Sequence, residues 1–227
     1  MKPAVLHVED LTIHFGGIHA LEAVSFFVKE QQIVGLIGPN GAGKTTVFNL
    51  LTGVYQPDRG DIYLENKSLL RKKTYQRCRM GVARTFQNIR LFGDLSAADN
   101  IKVAMNDQFR YPLASGIIRG RGYRQGERSA AEHADLLLDM MGLGGNADLM
   151  ARQLPYGQQR KLEIARALAA RPKILLLDEP AAGMNPTETE ELKDMIRMIR
   201  DQLGISVLLI EHDMNVVMDL CEFIFVL

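Results

Sequence analysis

LPYGQQRKLEIARAL, Leu154 to Leu168, runs almost directly into KILLLDEP, Lys173 to Pro180. The first segment sets a Pro and a Gly at the mouth of an amphipathic helix. Free backbone N–H groups and the positive end of the helix dipole can hold an anion there. The second segment is an apolar run closed by two acids, the pattern of a buried parallel strand whose carboxyl end meets a ligand. Many phosphate-binding proteins have such a strand, and very few place such a helix just upstream of it.

A second phosphate signal lies far upstream. Gly38-Pro39-Asn40-Gly41-Ala42-Gly43-Lys44-Thr45 fits GxxxxGK[ST]. It stands between an apolar run suited to a central strand (33–37) and a predicted helix (44–51) stopped by Gly53. The glycines let the backbone curl so that successive N–H groups face phosphates. Lys44 is expected to reach the β- and γ-phosphates and Thr45 to offer its hydroxyl to Mg²⁺, with Thr46 completing the nucleotide-binding stretch. Asp178 is the expected metal partner and Glu179 the group that polarises the attacking water. Phosphoryl transfer asks the protein mainly for positioning and charge neutralisation.

The bulk properties permit this reading. A chain of 227 residues supports one substantial core, or one domain with a smaller subdomain. Basic and acidic residues number 27 each, so no global field draws it to nucleic acid or anionic membranes. Its 47% hydrophobic and 24% charged residues are ordinary for a soluble globular protein. No apolar run approaches the ~20 residues of a membrane span, and MKPAVLHVEDL lacks signal-peptide patterning. Cys78 and Cys221 sit in no CxxC or Cys/His cluster and read as free thiols.

Alternation along residues 5–8, 12–15 and 24–28 predicts short antiparallel strands, with a Gly16-Gly17 turn between the second and third. Residues 61–64 read as another short strand after the turn 56–60. From about 88 to 152 the texture turns helical, with helices at 97–104 and 130–141, while 106–128 has no clean period. Strand and helix then alternate: strand 174–177, helix 187–202 begun by Pro186, strand 206–210, helix 214–219, strand 223–227. The expected organisation is a single α/β domain. A nucleotide-binding core (1–87 and 170–227), with N-terminal antiparallel strands, is interrupted by a helical subdomain (88–169).

With these motifs in view, the chain resembles the ATP-binding cassette (ABC) ATPases, a P-loop NTPase fold, over nearly its whole length. LPYGQ resembles the family's signature motif, and LLLDEP its Walker B strand. Gln87, in Arg84-Thr85-Phe86-Gln87-Asn88, looks like the Q-loop glutamine, which senses the γ-phosphate, can reach the metal and touches the membrane subunit. His212, in Ile210-Glu211-His212-Asp213, looks like the switch histidine. Residues 181–186, AAGMNP, resemble the D-loop, and Phe15 sits where the family places an aromatic ring against adenine.

The resemblance implies ATP and Mg²⁺ as ligands, with Glu179, His212, Gln87 and Lys44 as catalytic residues. It implies a homo- or heterodimer in which Pro155, Tyr156, Gly157 and Gln158 serve the partner's ATP. The stretches FGGIHALEAVSF, GVARTFQNIRLFGDLSAADNI and DEPAAGMNP look like the longer ATPase subunit of branched-chain amino-acid importers. That adds two transmembrane permease subunits, a second ATPase subunit, an extracytoplasmic binding protein and a peripheral position on the cytoplasmic face of the membrane. Urea import and lipopolysaccharide export remain open as alternative substrates.

Two departures stand out. Pro155 and Tyr156 replace the usual Ser and Gly of LSGGQ, removing a hydroxyl and an N–H that face the partner's γ-phosphate. The anion site is expected to survive on the helix start and Gly157, with weaker ATP-driven closure. The sequence also stops at Phe-Val-Leu, where the family usually runs on; a shortened copy or incomplete gene reading is expected ahead of a natural compact variant. A hydrophobic strand at such an end exposes an edge.

The basic clusters Arg71, Lys72, Lys73, Arg77, Arg79 and Arg110, Arg119, Arg121, Arg124, Arg128 read as solvated loops. No aromatics beyond Tyr75, Tyr111 and Tyr123 are interleaved for stacking, so no nucleic-acid partner is expected. Contacts with a membrane subunit or headgroups stand between these readings. A DNA or ribosome ATPase would need heptad arms or a second cassette, for which the length leaves no room. A non-catalytic regulatory subunit is opposed by Lys44, Asp178, Glu179 and His212 and favoured by Pro155.

Overall fold

The computed structural model describes residues 3–105 and 121–227, with side chains in the second stretch from residue 124 onward. The chain divides into two compact units, Met1–Gln87 with Pro172–Leu227, and Asn88–Arg171.

In the first unit two long strands, β1 (Ala4–Phe15) and β2 (Ile18–Lys29), form a hairpin closed at Gly16-Gly17. The two strands expected within 4–15 are one. Asp10 takes a positive φ of 47°, the register shifts between Val8 and Leu11, and Ser25 ties down the bulge by accepting from the Asp10 amide at 2.8 Å. The bulge interrupts alternation without ending the ladder. β4 (Arg59–Leu64) pairs antiparallel with β1, and the two-residue strand β5 (Lys67–Ser68) pairs with β4.

The second sheet is wholly parallel. β3 (Ile33–Ile37), β6 (Val82–Arg84), β7 (Ile174–Asp178), β8 (Ser206–Ile210) and β9 (Phe223–Val226) lie in the order β6-β7-β8-β3-β9. Every residue of β7 and β8 is buried, as strands covered on both faces must be. Between the sheets, Val8, Leu11, Val28, Phe48 and Leu208 are fully buried members of one core.

Helix α1 (Lys44–Thr52) turns Val47, Phe48, Leu50 and Leu51 into that core and ends at Gly53, whose φ of 80° and tight surroundings favour glycine. Arg77 makes those surroundings. It lies on α2 (Thr74–Met80), a helix the sequence pattern did not suggest, and it is fully buried, not solvated as expected. Its Nη1 donates to the Leu50 carbonyl and, at 3.2 Å, to Leu51; its Nε donates to Lys72 O at 3.1 Å. The guanidinium thus closes the orphan carbonyls at the end of α1, and burial pushes its pKa down to about 10.

The second unit packs α3 (Ala97–Met105), α4 (Arg121–Met140) and α5 (Tyr156–Ala169) on one another. α4 starts earlier than expected. Gly122 and Gly126, each ~1 kcal/mol poorer than Ala inside a helix, hide its first turns from a propensity reading. Its inward stripe, Ala134, Leu137 and Leu138, continues to Met141, and all are buried. Arg124 and Arg128 are exposed on α4; Arg110, Tyr111 and Arg119, and the side chains of Arg121 and Tyr123, lie outside the described residues.

Back in the first unit after β7, α6 (Pro186–Leu203) and α7 (Met214–Leu220) flank β8 in sequence. No helix among the described residues is long and apolar enough to cross a membrane. Cys78 and Cys221 form no disulfide with one another.

Candidate active site

β7, β8 and β3 are neighbours, and the glycine-rich loop, the Asp178–Glu179 pair and His212 stand at their carboxyl ends, where open parallel sheets place ligands. After β3, Gly38 to Gly43 loop back, and Gly41 and Gly43 take φ of 85° and 95°. A Cβ on Gly43 would strike Leu21 and the Ala20 carbonyl of β2, so only glycine lets the loop lie against that strand. α1 has no acid in its first turn and no side-chain cap. Its N-terminal amides and dipole are therefore left for an anion.

Lys44 is buried, and its Nζ donates to the carbonyls of Gly38 at 2.8 Å and Pro39 at 2.9 Å. Asn40, Gly41, Thr45 and Thr46 line a cleft of about 280 Å³ together with Glu179 and His212. Ala42 sits inside the loop, its amide donating to the Pro39 carbonyl at 3.2 Å.

Asp178 ends β7 and is buried. Its Oδ2 lies 2.7 Å from Nη2 of Arg84, the last residue of β6. Glu179 follows with a positive φ of 48°, a strained backbone for a non-glycine residue. Its amide donates to the Ile210 carbonyl at 2.9 Å, and its carboxylate is gripped at both oxygens. Oε1 meets His212 Nε2 at 2.7 Å, and Oε2 accepts from Gln87 Nε2 at 2.7 Å. Buried Glu211 supports this arrangement by accepting from the amides of Ala181 and His212 at 2.8 and 2.9 Å. The structure thus brings together Lys44, Thr45, Glu179, His212 and Gln87. Phe15 ends β1, 41% exposed, with Tyr55 edge-on at 5.0 Å.

The signature residues lie in the second unit. Pro155 is the N-cap of α5, with no side-chain cap. Its missing N–H costs the helix nothing, because that group lies outside the ladder. Tyr156 is exposed, Gly157 is buried, and Gln158 Oε1 accepts from Asn146 at 3.0 Å. α5 has no acid in its first turn.

A family model described as ABC transporter matches residues 21–182. The chain belongs to the ABC transporter family. Curated relatives of this ABC ATPase include the high-affinity branched-chain amino acid transport ATP-binding protein BraF of Pseudomonas aeruginosa, 46% identical over all of this chain and 89% of its own length. LivG of Escherichia coli K12, with the same printed description, is 45% identical over the same shares. Among solved structures, the ADP conformation of MJ1267, an ATP-binding cassette of an ABC transporter, superposes with a TM-score of 0.86 at 30% identity. That match covers all of this chain and 88% of that one. As a member of this family the chain binds and hydrolyses ATP.

The donor set also fits the Mg²⁺ that the family implies. The Thr45 hydroxyl is exposed at the start of α1, and the Asp178 carboxylate closes β7. These are hard oxygen donors and few, as suits an ion that keeps water and phosphate oxygens in its shell. The Gln87 amide nitrogen faces Glu179, so its carbonyl oxygen is the atom able to serve a metal.

Arg84 and Asn49 were not singled out from sequence. Arg84 stands beside Gln87 in the quoted RTFQ stretch, but the carboxylate it meets is 94 positions away.

Proposed function

We propose that this chain is the ATP-hydrolysing subunit of an importer for branched-chain amino acids. The observation that carries the catalytic part is the Glu179 carboxylate, held on the phosphate-loop cleft by His212 and Gln87. The full-length similarity to BraF and LivG supports the substrate class.

In this reading the amides of Gly41 to Thr46 and the dipole of α1 hold the ATP phosphates. Lys44 exchanges the carbonyls of Gly38 and Pro39 for the β- and γ-phosphate oxygens. Glu179 orients a water molecule against the γ-phosphorus and receives its proton. His212 holds the carboxylate and contacts the γ-phosphate, while Gln87 reports the occupied site to a membrane subunit. Phe15 offers its exposed ring to adenine. Mg²⁺, when bound, would neutralise phosphate charge, and Thr45, Asp178 and Gln87 are the residues to hold it.

Pro155 to Gln158 act on ATP held by a second ATPase subunit, identical or related, so turnover belongs to a dimer. Two permease subunits and an extracytoplasmic binding protein complete the complex, at the cytoplasmic face of the membrane.

The test is uptake of labelled leucine, isoleucine and valine by cells in which the gene is inactivated. Uptake is expected to fall and to return with the intact gene but not with Glu179→Gln. Unchanged uptake, with a defect in urea import or lipopolysaccharide export instead, would overturn the substrate assignment.

A further inference from the structure

Arg84 occupies an unusual position for a side chain outside the phosphate loop. Its side chain is 6% exposed, and the guanidinium bridges β7 and α1, Nη2 to Asp178 Oδ2 and Nη1 to Asn49 Oδ1, each at 2.7 Å. The rings of Phe48 and Phe86 lie 5.4 and 5.0 Å from its central carbon. That packing fixes the guanidinium plane. Its Nε is buried with no acceptor.

A buried ion pair with an unsatisfied donor is not a device for stability, since apolar packing of the same volume usually serves as well or better. What the pair provides is a positive charge, held from two sides, on the carboxylate expected to face a divalent cation.

We propose that Arg84 is a positioning residue and the resident counter-cation of the metal carboxylate. Its charge offsets that of Asp178, and so sets how strongly the site draws Mg²⁺. The inference rests on the ATPase reading above. Its consequence has a definite sign: because the guanidinium already offsets the charge of Asp178, the site pulls less on a second cation. Removing the charge strengthens that pull, whereas losing mere structural support would weaken it.

The experiment titrates Mg²⁺ into the full chain at a fixed concentration of a fluorescent ATP analogue. It reads the Mg²⁺ concentration giving half-maximal change in nucleotide affinity, a readout independent of turnover. For Arg84→Gln this concentration is expected to fall about tenfold at low salt, the effect of one nearby charge lost from a partly buried site. Arg84→Lys, which keeps the charge but lacks the fork that reaches Asn49 and Asp178 together, should stay within about twofold of wild type.

An unchanged or higher half-point in Arg84→Gln overturns the proposal. If that variant does not fold, Arg84→Lys still decides, because a several-fold shift with the charge retained would place the effect in geometry alone. Wild-type chain that binds no nucleotide would instead defeat the ATPase reading.

Discussion

The carboxylate of Glu179 lies 2.7 Å from Nε2 of His212, and its other oxygen accepts from Gln87 at the same distance. The three residues arrive from different parts of the chain, and β7 and β8, the strands that deliver two of them, are paired directly. A carboxylate gripped at both oxygens is oriented before any water reaches it, and orientation is a large part of catalysis in phosphoryl transfer.

Glu179→Gln keeps the shape of that grip and removes the base. Turnover should fall at least ~10²-fold, within the range for a lost general base, while ATP affinity stays within about threefold because the phosphate contacts come from the loop and α1. Phosphate release and nucleotide binding, measured on the same preparation, separate the two effects. Undiminished turnover would remove Glu179 from this role.

Pro155→Ser restores an N-cap hydroxyl and a backbone N–H at the mouth of α5. Each bond regained to a charged phosphate is worth ~1.5–3 kcal/mol, so ATP-driven dimerisation of a slow-hydrolysing background should tighten about tenfold or more. Light scattering with and without ATP reads this. An unchanged dimer constant would mean that the departure from LSGGQ has no energetic consequence.

Asn185 caps α6 in a reciprocal box with Glu188: its Oδ1 accepts from the Glu188 amide, and Glu188 accepts from the Asn185 amide, both at 3.0 Å. Asn185→Ala should cost about 1 kcal/mol of stability, visible in denaturant midpoints. A loss of activity far beyond that cost would point to a separate role for this residue of the D-loop-like segment.

A pH effect follows from Asp219, which joins α6 to α7. Hydrogen bonding from Lys193 at 2.6 Å, then from Arg197 at 2.8 Å, holds its carboxyl below the usual carboxylate range. A depressed acid contributes stability that is complete above its unfolded value of about 4 and lost as pH falls through its lower folded value. Asp219→Asn should therefore lower the thermal midpoint at pH 7 and flatten its decline on the acid side. Parallel acid limbs for the two proteins would count against the pairing.

The parallel sheet was legible because its signals are local. GxxxxGK[ST] needs a strand before it and a helix after it, and both appear at 33–37 and 44–52. An unbroken apolar run ending in acids describes β7 without reference to anything else. Where a local signal is ambiguous, the reading failed. The Asp10 bulge looked like the end of a strand, and Gly122 and Gly126 looked like loop. Arg77, in a run of basic residues, looked solvated, yet the carbonyls ending α1 receive it 26 and 27 positions back along the chain.

The sequence by itself determined where the candidate chemistry lies: which residues form the glycine-rich loop, that two acids close the apolar run of β7, and which family the motif order resembles. These follow from spacing along one strand–loop–helix unit, where neighbours in sequence are neighbours in space. Only the tertiary structure decided how that chemistry is held. Pairing of β7 with β8 sets Glu179 against His212, and pairing of β6 with β7 sets Arg84 on Asp178. Side-chain contacts across 33 and 94 positions leave no local trace in composition or period. Their energy comes from burial and geometry that exist only once the sheet has formed.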